Sequence, residues 1–176
     1  MRQYAVVAMP RGSAGLVASA HGLSNLVLTR HEPEATRASL RRRFPEAENN
    51  PDLLPALQAR LRDYFAGRRI QFRVKVDFCG LTLFQRRVLD ACAKIPWGRR
   101  ITYGELARDI GRPTAARAVG AALARNPVPI VIPCHRVVAG DGSLGGFSAE
   151  QGVSLKSWLL ELESDPLSNR LPRRSR

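Results

Sequence analysis

The sequence has no apolar run approaching the roughly 20 residues that span a bilayer. No apolar stretch follows Met1-Arg2-Gln3-Tyr4 in the manner of a secretory signal. These absences lead to the expectation of a soluble, cytoplasmic protein with no membrane partner. Lysine is scarce: of 28 basic residues, only Lys75, Lys94 and Lys156 are lysines. Cysteine is scarce and odd in number, with Cys79, Cys92 and Cys134 alone. No two of these have metal-finger spacing, which argues against a disulfide framework and a structural zinc site and leaves free thiols. His21 and His31 stand without metal-ligand companions, so no metal is expected.

What is present is a globular composition. The chain has 176 residues, of which 44% are apolar, enough for one medium domain or two small ones. Its net charge is +13, and the excess is spread along the chain rather than gathered in one tail. Such an excess favours a polyanionic partner, because basic side chains displace counterions from phosphates.

The first part reads as strands. Residues 3–8, 14–20 and 23–29 are apolar runs of strand length, punctuated by Pro10-Arg11-Gly12 and His21-Gly22 as in an antiparallel meander. Residues 31–50 are polar and read as a connection. Leu54, Leu57, Leu61 and Tyr64-Phe65 repeat at helical spacing over 51–66, and residues 70–77 alternate as a last strand would. The second part is helical. Thr82-Leu83-Phe84-Gln85 and Thr102-Tyr103-Gly104-Glu105 both fit the capping box, in which hydroxyl and Glu/Gln side chains satisfy each other's backbone N–H. The first opens a helix stopped at Pro96-Trp97-Gly98. The second opens a short helix ending at Gly111, and a further helix runs from Pro113 to about Arg125. A Gly-rich loop spans Gly140 to Gly146, and a last helix runs from about Val153 to Glu163. The fold class expected is α+β, with an N-terminal α/β domain over 1–77, a mainly helical domain over 78–163 and a basic, mobile tail over 164–176.

The segment 102–125 has helix-turn-helix proportions. Its second helix, Thr114 to Arg125, carries mostly tiny side chains and so can read few base edges in a major groove. Small side chains do allow close approach to a minor groove about 6 Å wide. Arg117 projects from this smooth face. The plainer alternative is an Ala-rich packing helix with a solvated arginine.

Cys134 is followed directly by His135. A nucleophilic cysteine needs a base within reach, but neighbours in a chain rarely point at each other, so the dipeptide by itself is read first as a buried structural thiol beside a satisfied core histidine. Cys92 shares a helix face with apolar residues, and Cys79 lies in the expected linker. A carboxylate to orient His135 would come from Glu161 or Glu163, which spacing alone does not separate.

Several linked motifs decide among these readings. Ile95-Pro96-Trp97-Gly98, Thr102-Tyr103-Gly104-Glu105-Leu106-Ala107, Ala115-Ala116-Arg117-Ala118-Val119-Gly120, Asn126-Pro127-Val128-Pro129-Ile130, Ile132-Pro133-Cys134-His135-Arg136-Val137, Gly145-Gly146-Phe147-Ser148 and Lys156-Ser157-Trp158-Leu159-Leu160 follow one another in order. Over residues 80–163 the chain thereby resembles the O6-alkylguanine-DNA alkyltransferases (methylated-DNA–protein-cysteine methyltransferases). The resemblance implies a ribonuclease H-like first domain and a catalytic domain with a helix-turn-helix, an active-site loop and a C-terminal helix. It implies direct-reversal repair: one alkyl group moves from O6-alkylguanine, or O4-alkylthymine, in duplex DNA to Cys134, and the protein is consumed. No cofactor, and no protein partner for a monomeric chain, is implied. His135 matches the base that deprotonates Cys134 through a water, Glu163 the carboxylate behind it, Asn126 the tie between recognition helix and active-site loop, and Tyr103 the hydroxyl supporting the leaving guanine. Thr102, Ala116, Arg117, Gly120 and Arg125 match DNA-contacting positions, with Arg117 filling the stack vacated by the flipped nucleotide. Val137, Phe147 and Ser148 match pocket positions. Phe147 replaces the usual aromatic hydroxyl, and residues 149–155 depart from the Gly-Gly-rich loop of many relatives. A DNA-binding module without chemistry and a thiol hydrolase are the competing readings. The first leaves the Cys134-His135 pair without a role, and the second does the same to the Arg117 helix.

Overall fold

The computed structural model describes residues 1–146 and 152–164. Phe147, Ser148, the rest of the 147–151 segment and the basic tail expected from residue 164 onward, apart from Ser164 itself, lie outside the described residues. The architecture is mixed α+β. β1 (Arg2–Met9), β2 (Gly12–Ser19) and β3 (Gly22–Thr29) form the antiparallel meander. The β1–β2 turn needs glycine at its exit: Gly12 has φ +127°, and a Cβ there would meet the Thr29 carbonyl oxygen at 2.1 Å.

The polar segment read as a connection holds two further elements, α1 (Pro33–Arg43) and β4 (Ala47–Asn49). β4 pairs with β1 in parallel, so the sheet order is β3-β2-β1-β4. α1 was hidden because only Thr36 and Leu40 are buried on it. It is fastened to the sheet partly by hydroxyls rather than apolar periodicity: Thr36 Oγ1 lies 2.6 Å from Ser13 Oγ and 2.7 Å from Thr29 Oγ1. Leu40 and Phe44 complete a small core with Tyr4 and Val17.

α2 (Pro55–Phe65) follows, later in its start than the pattern over 51–66 predicts. Residues 70–77 are not a strand of the sheet. They run extended beside it and touch β3 through one parallel bridge, Leu23 to Val76, flanked by Leu23 N–H to Lys75 O at 2.9 Å and Asp77 N–H to Leu23 O at 2.8 Å. Alternation alone does not tell an extended connector from a paired strand.

In the second half, α3 (Leu83–Cys92) and α4 (Tyr103–Asp109) start at the two expected capping boxes, both complete on Thr82/Gln85 and Thr102/Glu105. α5 (Ala116–Leu123) is shorter than the predicted 113–125 helix, because residues before Ala116 form turns. β5 (Ile101–Thr102) and β6 (Val137–Val138) make a short parallel pair, a 3-10 turn at Cys134–Arg136 leads directly into β6, and α6 (Gly152–Ser164) closes the described chain. One apolar core runs from Val7 and Leu16 in the sheet through Leu61 and Val88 to Leu159 in α6, so the two halves bury their faces against each other. Leu26 N–H to Pro127 O, 2.8 Å, adds a backbone tie between them.

Candidate active site

The loop from Asn126 to Pro133 delivers Cys134 to the centre of the second half. Ile130 adopts φ +70°, a conformation that costs a β-branched residue about 1–3 kcal/mol and persists only when its surroundings enforce it. Asn126 provides that enforcement. Its Oδ1 accepts from Val128 N–H at 3.1 Å, while its Nδ2 donates to the Ile132 carbonyl at 2.8 Å and to Cys134 Sγ at 3.1 Å. Asn126 is buried three residues past the end of α5, so one side chain couples the segment leaving that helix to the thiol.

Cys134 lines a cleft of about 740 Å³. One wall is the start of α4, Thr102, Tyr103 and Gly104; another is α5, with Ala116, Arg117 and Gly120; the Gly-rich loop contributes Gly145 and Gly146. Gly145 is required by contact: at φ +63°, a Cβ would come within 2.9 Å of the Tyr103 hydroxyl. Arg117 is exposed at the cleft. Arg125 is exposed but does not line it, and Val137 is fully buried behind it in β6. The Val137 carbonyl accepts from Lys156 Nζ at 2.7 Å. Lys156 is itself fully buried, and its ammonium also donates to the Leu144 carbonyl, joining α6 to the Gly-rich loop.

Behind Cys134 lies a buried polar cluster. His135 Nε2 is 2.8 Å from Glu163 Oε1. Of the two carboxylates on α6 that spacing left open, Glu163 is the one brought here; Glu161 accepts from Ser157 on the exposed face, 3.1 Å away. Two members of the cluster escaped the sequence reading. Arg136 grips Glu163 with Nε to Oε2 and a terminal nitrogen to Oε1, both 2.8 Å, and its other terminal nitrogen donates to the Ile95 carbonyl. Tyr64, from α2, donates its hydroxyl to Glu163 Oε1 at 2.7 Å and lies 3.3 Å from His135 Nε2. Gly98 N–H completes the shell on Oε2 at 3.2 Å. An arginine placed directly after Cys-His, in a segment otherwise apolar, is the one available signal for Arg136. Tyr64 had none, since its helical spacing marks it only as core.

These surroundings set the protonation states. Burial would raise Glu163, but the hydrogen bonds from His135 and Arg136 overcome it and hold the carboxyl well below the usual carboxylate range. Burial lowers His135 and outweighs the pull of Glu163, so the imidazole is neutral near pH 7. Burial raises Cys134, opposed by the Asn126 hydrogen bond and the Lys156 charge, so the resting group is a thiol. With Nε2 facing a carboxylate, the neutral imidazole carries its proton there, and Nδ1, buried and with no hydrogen-bond partner among the described residues, is the basic nitrogen. A neutral thiol beside a neutral base is an arrangement for deprotonation at the moment of attack. Cys92 is fully buried in the core, whereas Cys79 is exposed. Among the described residues no group of three or more His, Cys, Asp or Glu is placed to hold a metal, and no helix is long and apolar enough to cross a membrane.

The fold and the cleft define a mixed α+β protein built around a buried cysteine, and comparison with known proteins gives the class its name. Residues 83–165 match the family model of the 6-O-methylguanine DNA methyltransferase, DNA binding domain. A methylated-DNA–protein-cysteine methyltransferase of Mycobacterium leprae is 41% identical over 150 residues, 84% of this chain and 85% of that protein. The crystal structure of the Mycobacterium tuberculosis O6-methylguanine methyltransferase matches with a TM-score of 0.78 at 37% identity over 93% of both chains. That of the M. tuberculosis protein in complex with DNA matches with a TM-score of 0.78 at 36% identity over 92% of both. The chain belongs to the methylated-DNA–protein-cysteine methyltransferase family.

Proposed function

We propose that this chain repairs DNA by direct reversal, moving the alkyl group of O6-alkylguanine, and of O4-alkylthymine, onto Cys134 once per molecule. The observation that carries the reading is the thiol itself: Cys134 Sγ lines the cleft, held by Asn126, with His135 and Glu163 behind it. Residues 78–163 act as the catalytic unit, on a ribonuclease H-like unit over 1–77, and the chain works as a cytoplasmic monomer.

α4 and α5 serve as a helix-turn-helix. The small residues Ala116 and Gly120 let α5 approach the minor groove, with Thr102 and Arg125 toward the phosphates. A nucleophile cannot reach the O6 carbon inside a paired duplex, so the nucleotide is flipped into the cleft at a cost of a few kcal/mol. Arg117 fills the vacated stack. Val137 backs the cleft from β6, and Phe147 and Ser148, which match the family's pocket positions, lie outside the described residues.

His135 Nδ1 then takes the Cys134 proton through a water, and the resulting imidazolium is stabilised by Glu163. The thiolate attacks the alkyl carbon in line: a C–S bond forms, the C–O6 bond breaks, and its electron pair leaves with the base as guaninate, which the Tyr103 hydroxyl supports and one proton from water neutralises, the imidazolium of His135 returning its proton to solvent. The product thioether resists water, so the protein is both reagent and catalyst.

Incubation with a duplex containing O6-methylguanine is expected to place one methyl on the Cys134 peptide and none on those of Cys79 and Cys92, read by peptide mass spectrometry. Intact DNA binding with unmodified Cys134 would replace this reading by that of a damage-binding module.

A further inference from the structure

We propose that Tyr64 is a positioning residue for alkyl transfer: its hydroxyl, supplied by α2 from the first half of the chain, keeps the His135 proton on Nε2 and tempers the pull of Glu163, leaving Nδ1 available to the thiol. The proposal rests on the roles assigned above to Cys134, His135 and Glu163.

Tyr64 is fully buried, and burial beside Glu163 pushes its phenol well above its ordinary range, so the hydroxyl stays protonated. It has one proton, and the 2.7 Å contact directs that proton to Glu163 Oε1. What remains on the Tyr64 oxygen is lone pairs, and these face His135 Nε2 at 3.3 Å. Nε2 thus meets two acceptors, the carboxylate and the phenol oxygen. An unprotonated Nε2 there would face lone pairs only, so the tautomer with Nε2–H is enforced from two sides and Nδ1 is left bare.

Packing alone gives no reason for the hydroxyl. The Tyr64 ring sits among Phe65, Phe72 and Trp97 with centroids 5.2 to 5.7 Å away, a niche that a phenylalanine ring would fill. Nor does the carboxylate lack donors, since Arg136 reaches both of its oxygens and Gly98 N–H reaches Oε2. The Tyr64 proton instead falls on Oε1, the oxygen that faces His135. A third donor on that oxygen, beside His135 and Arg136, withdraws charge from it and weakens its hold on an imidazolium. This matters because the base must start neutral and then surrender its gain of charge only to the reaction.

The groups facing this base are Glu163 and Lys156 from α6, Arg136 and Cys134 from the 3-10 turn, and Tyr64 from α2; Cys92 of α3 is raised by burial and by the field of Cys134. Among these Tyr64 is the contribution of the first half of the chain. The family model begins at residue 83, after it. The sheet-and-helix unit therefore reaches into the chemistry through one oxygen atom.

The test is the pH dependence of single-turnover methyl transfer from an O6-methylguanine duplex by the full-length chain. For Tyr64→Phe the acid limb is expected to move upward by about one to two pH units, the size of one hydrogen bond to a charged group, with the plateau rate within about threefold of the parent. Phe72→Leu disturbs the same aromatic niche without touching the hydroxyl. It is expected to lower the melting temperature and leave the limb in place. A limb unmoved in Tyr64→Phe, or moved equally in Phe72→Leu, overturns the proposal. Nitrogen NMR of His135 in the parent protein gives an answer even if the variants do not fold. A protonated Nδ1 in the neutral ring overturns the proposal, and a pyrrole-like Nε2 whose signal moves in Tyr64→Phe but not in Phe72→Leu supports it. A parent protein that never methylates Cys134 is distinguishable from all of these, because it removes the underlying reading of the site itself.

Discussion

Asn126 Nδ2 lies 3.1 Å from Cys134 Sγ and 2.8 Å from the Ile132 carbonyl, so a single amide connects the segment that follows α5 with the thiol and with the strained turn that carries it. An alkylated sulfur has no negative charge and a poorer lone pair to offer that amide. The bond is therefore strongest in the thiolate state, and the arrangement favours charge developing on sulfur.

Removing this amide should cost rate more than binding. Asn126→Ala is expected to slow methyl transfer about 10- to 100-fold, the loss of a charge-assisted hydrogen bond of about 1.5–3 kcal/mol. It also frees Ile130 to leave its left-handed conformation. Duplex affinity, measured by gel shift on undamaged DNA, should change far less than the single-turnover rate. A variant with parental rates would remove Asn126 from the machinery.

Arg117 offers a separation of flipping from chemistry. It is exposed at the cleft on α5 and, among the described residues, makes no hydrogen bond or ion pair with Cys134, His135 or Glu163. Arg117→Ala is expected to reduce repair of an O6-methylguanine duplex at least tenfold, about 1.4 kcal/mol in the barrier, while reaction with free O6-benzylguanine stays near the parental rate. Equal losses on both substrates would show that Arg117 acts on the cleft and not on the duplex.

Acid should unfold the protein for an identifiable reason. His135 is lowered by burial, so between its ordinary value of about 6.5 and its folded value the unfolded chain binds a proton that the folded chain does not. Stability therefore falls as pH drops below about 6.5. Glu163, held far below the ordinary carboxylate value of about 4.3, adds a further loss below that pH, because the unfolded chain protonates it first. Urea titrations at a series of pH values should show both steps. Glu163→Gln should remove the lower one, at a cost of about 3–5 kcal/mol at neutral pH for stranding Arg136 in the interior. A profile flat from neutral to pH 4 would contradict the buried, neutral state of His135.

How much of this was legible in the sequence differs from element to element. The capping boxes at Thr82 and Thr102 are local chemistry, with donor and acceptor three residues apart, and both helices begin there. The meander was legible because its turns are marked by Gly12 and Gly22. α1 was not, because it is anchored through Thr36 and its hydroxyl partners on other elements. β4 is a three-residue strand made by its pairing with β1, and nothing within Ala47–Asn49 announces it. The 70–77 segment failed in the opposite sense: its alternation is real, but the sheet offers it a single bridge.

The site divides in the same way. By itself the sequence determined which groups exist and their order: a free thiol followed by an imidazole, small residues around Arg117, and glycines before the last helix. Those are properties of composition and near neighbours. Only the tertiary structure decided that Glu163 rather than Glu161 meets His135, that Arg136 turns inward to hold it, and that Tyr64, 99 residues before Glu163 and 71 before His135, completes the cluster. Side chains so far apart meet because the two halves share one apolar core, and their hydrogen bonds are strong because that core excludes water from them.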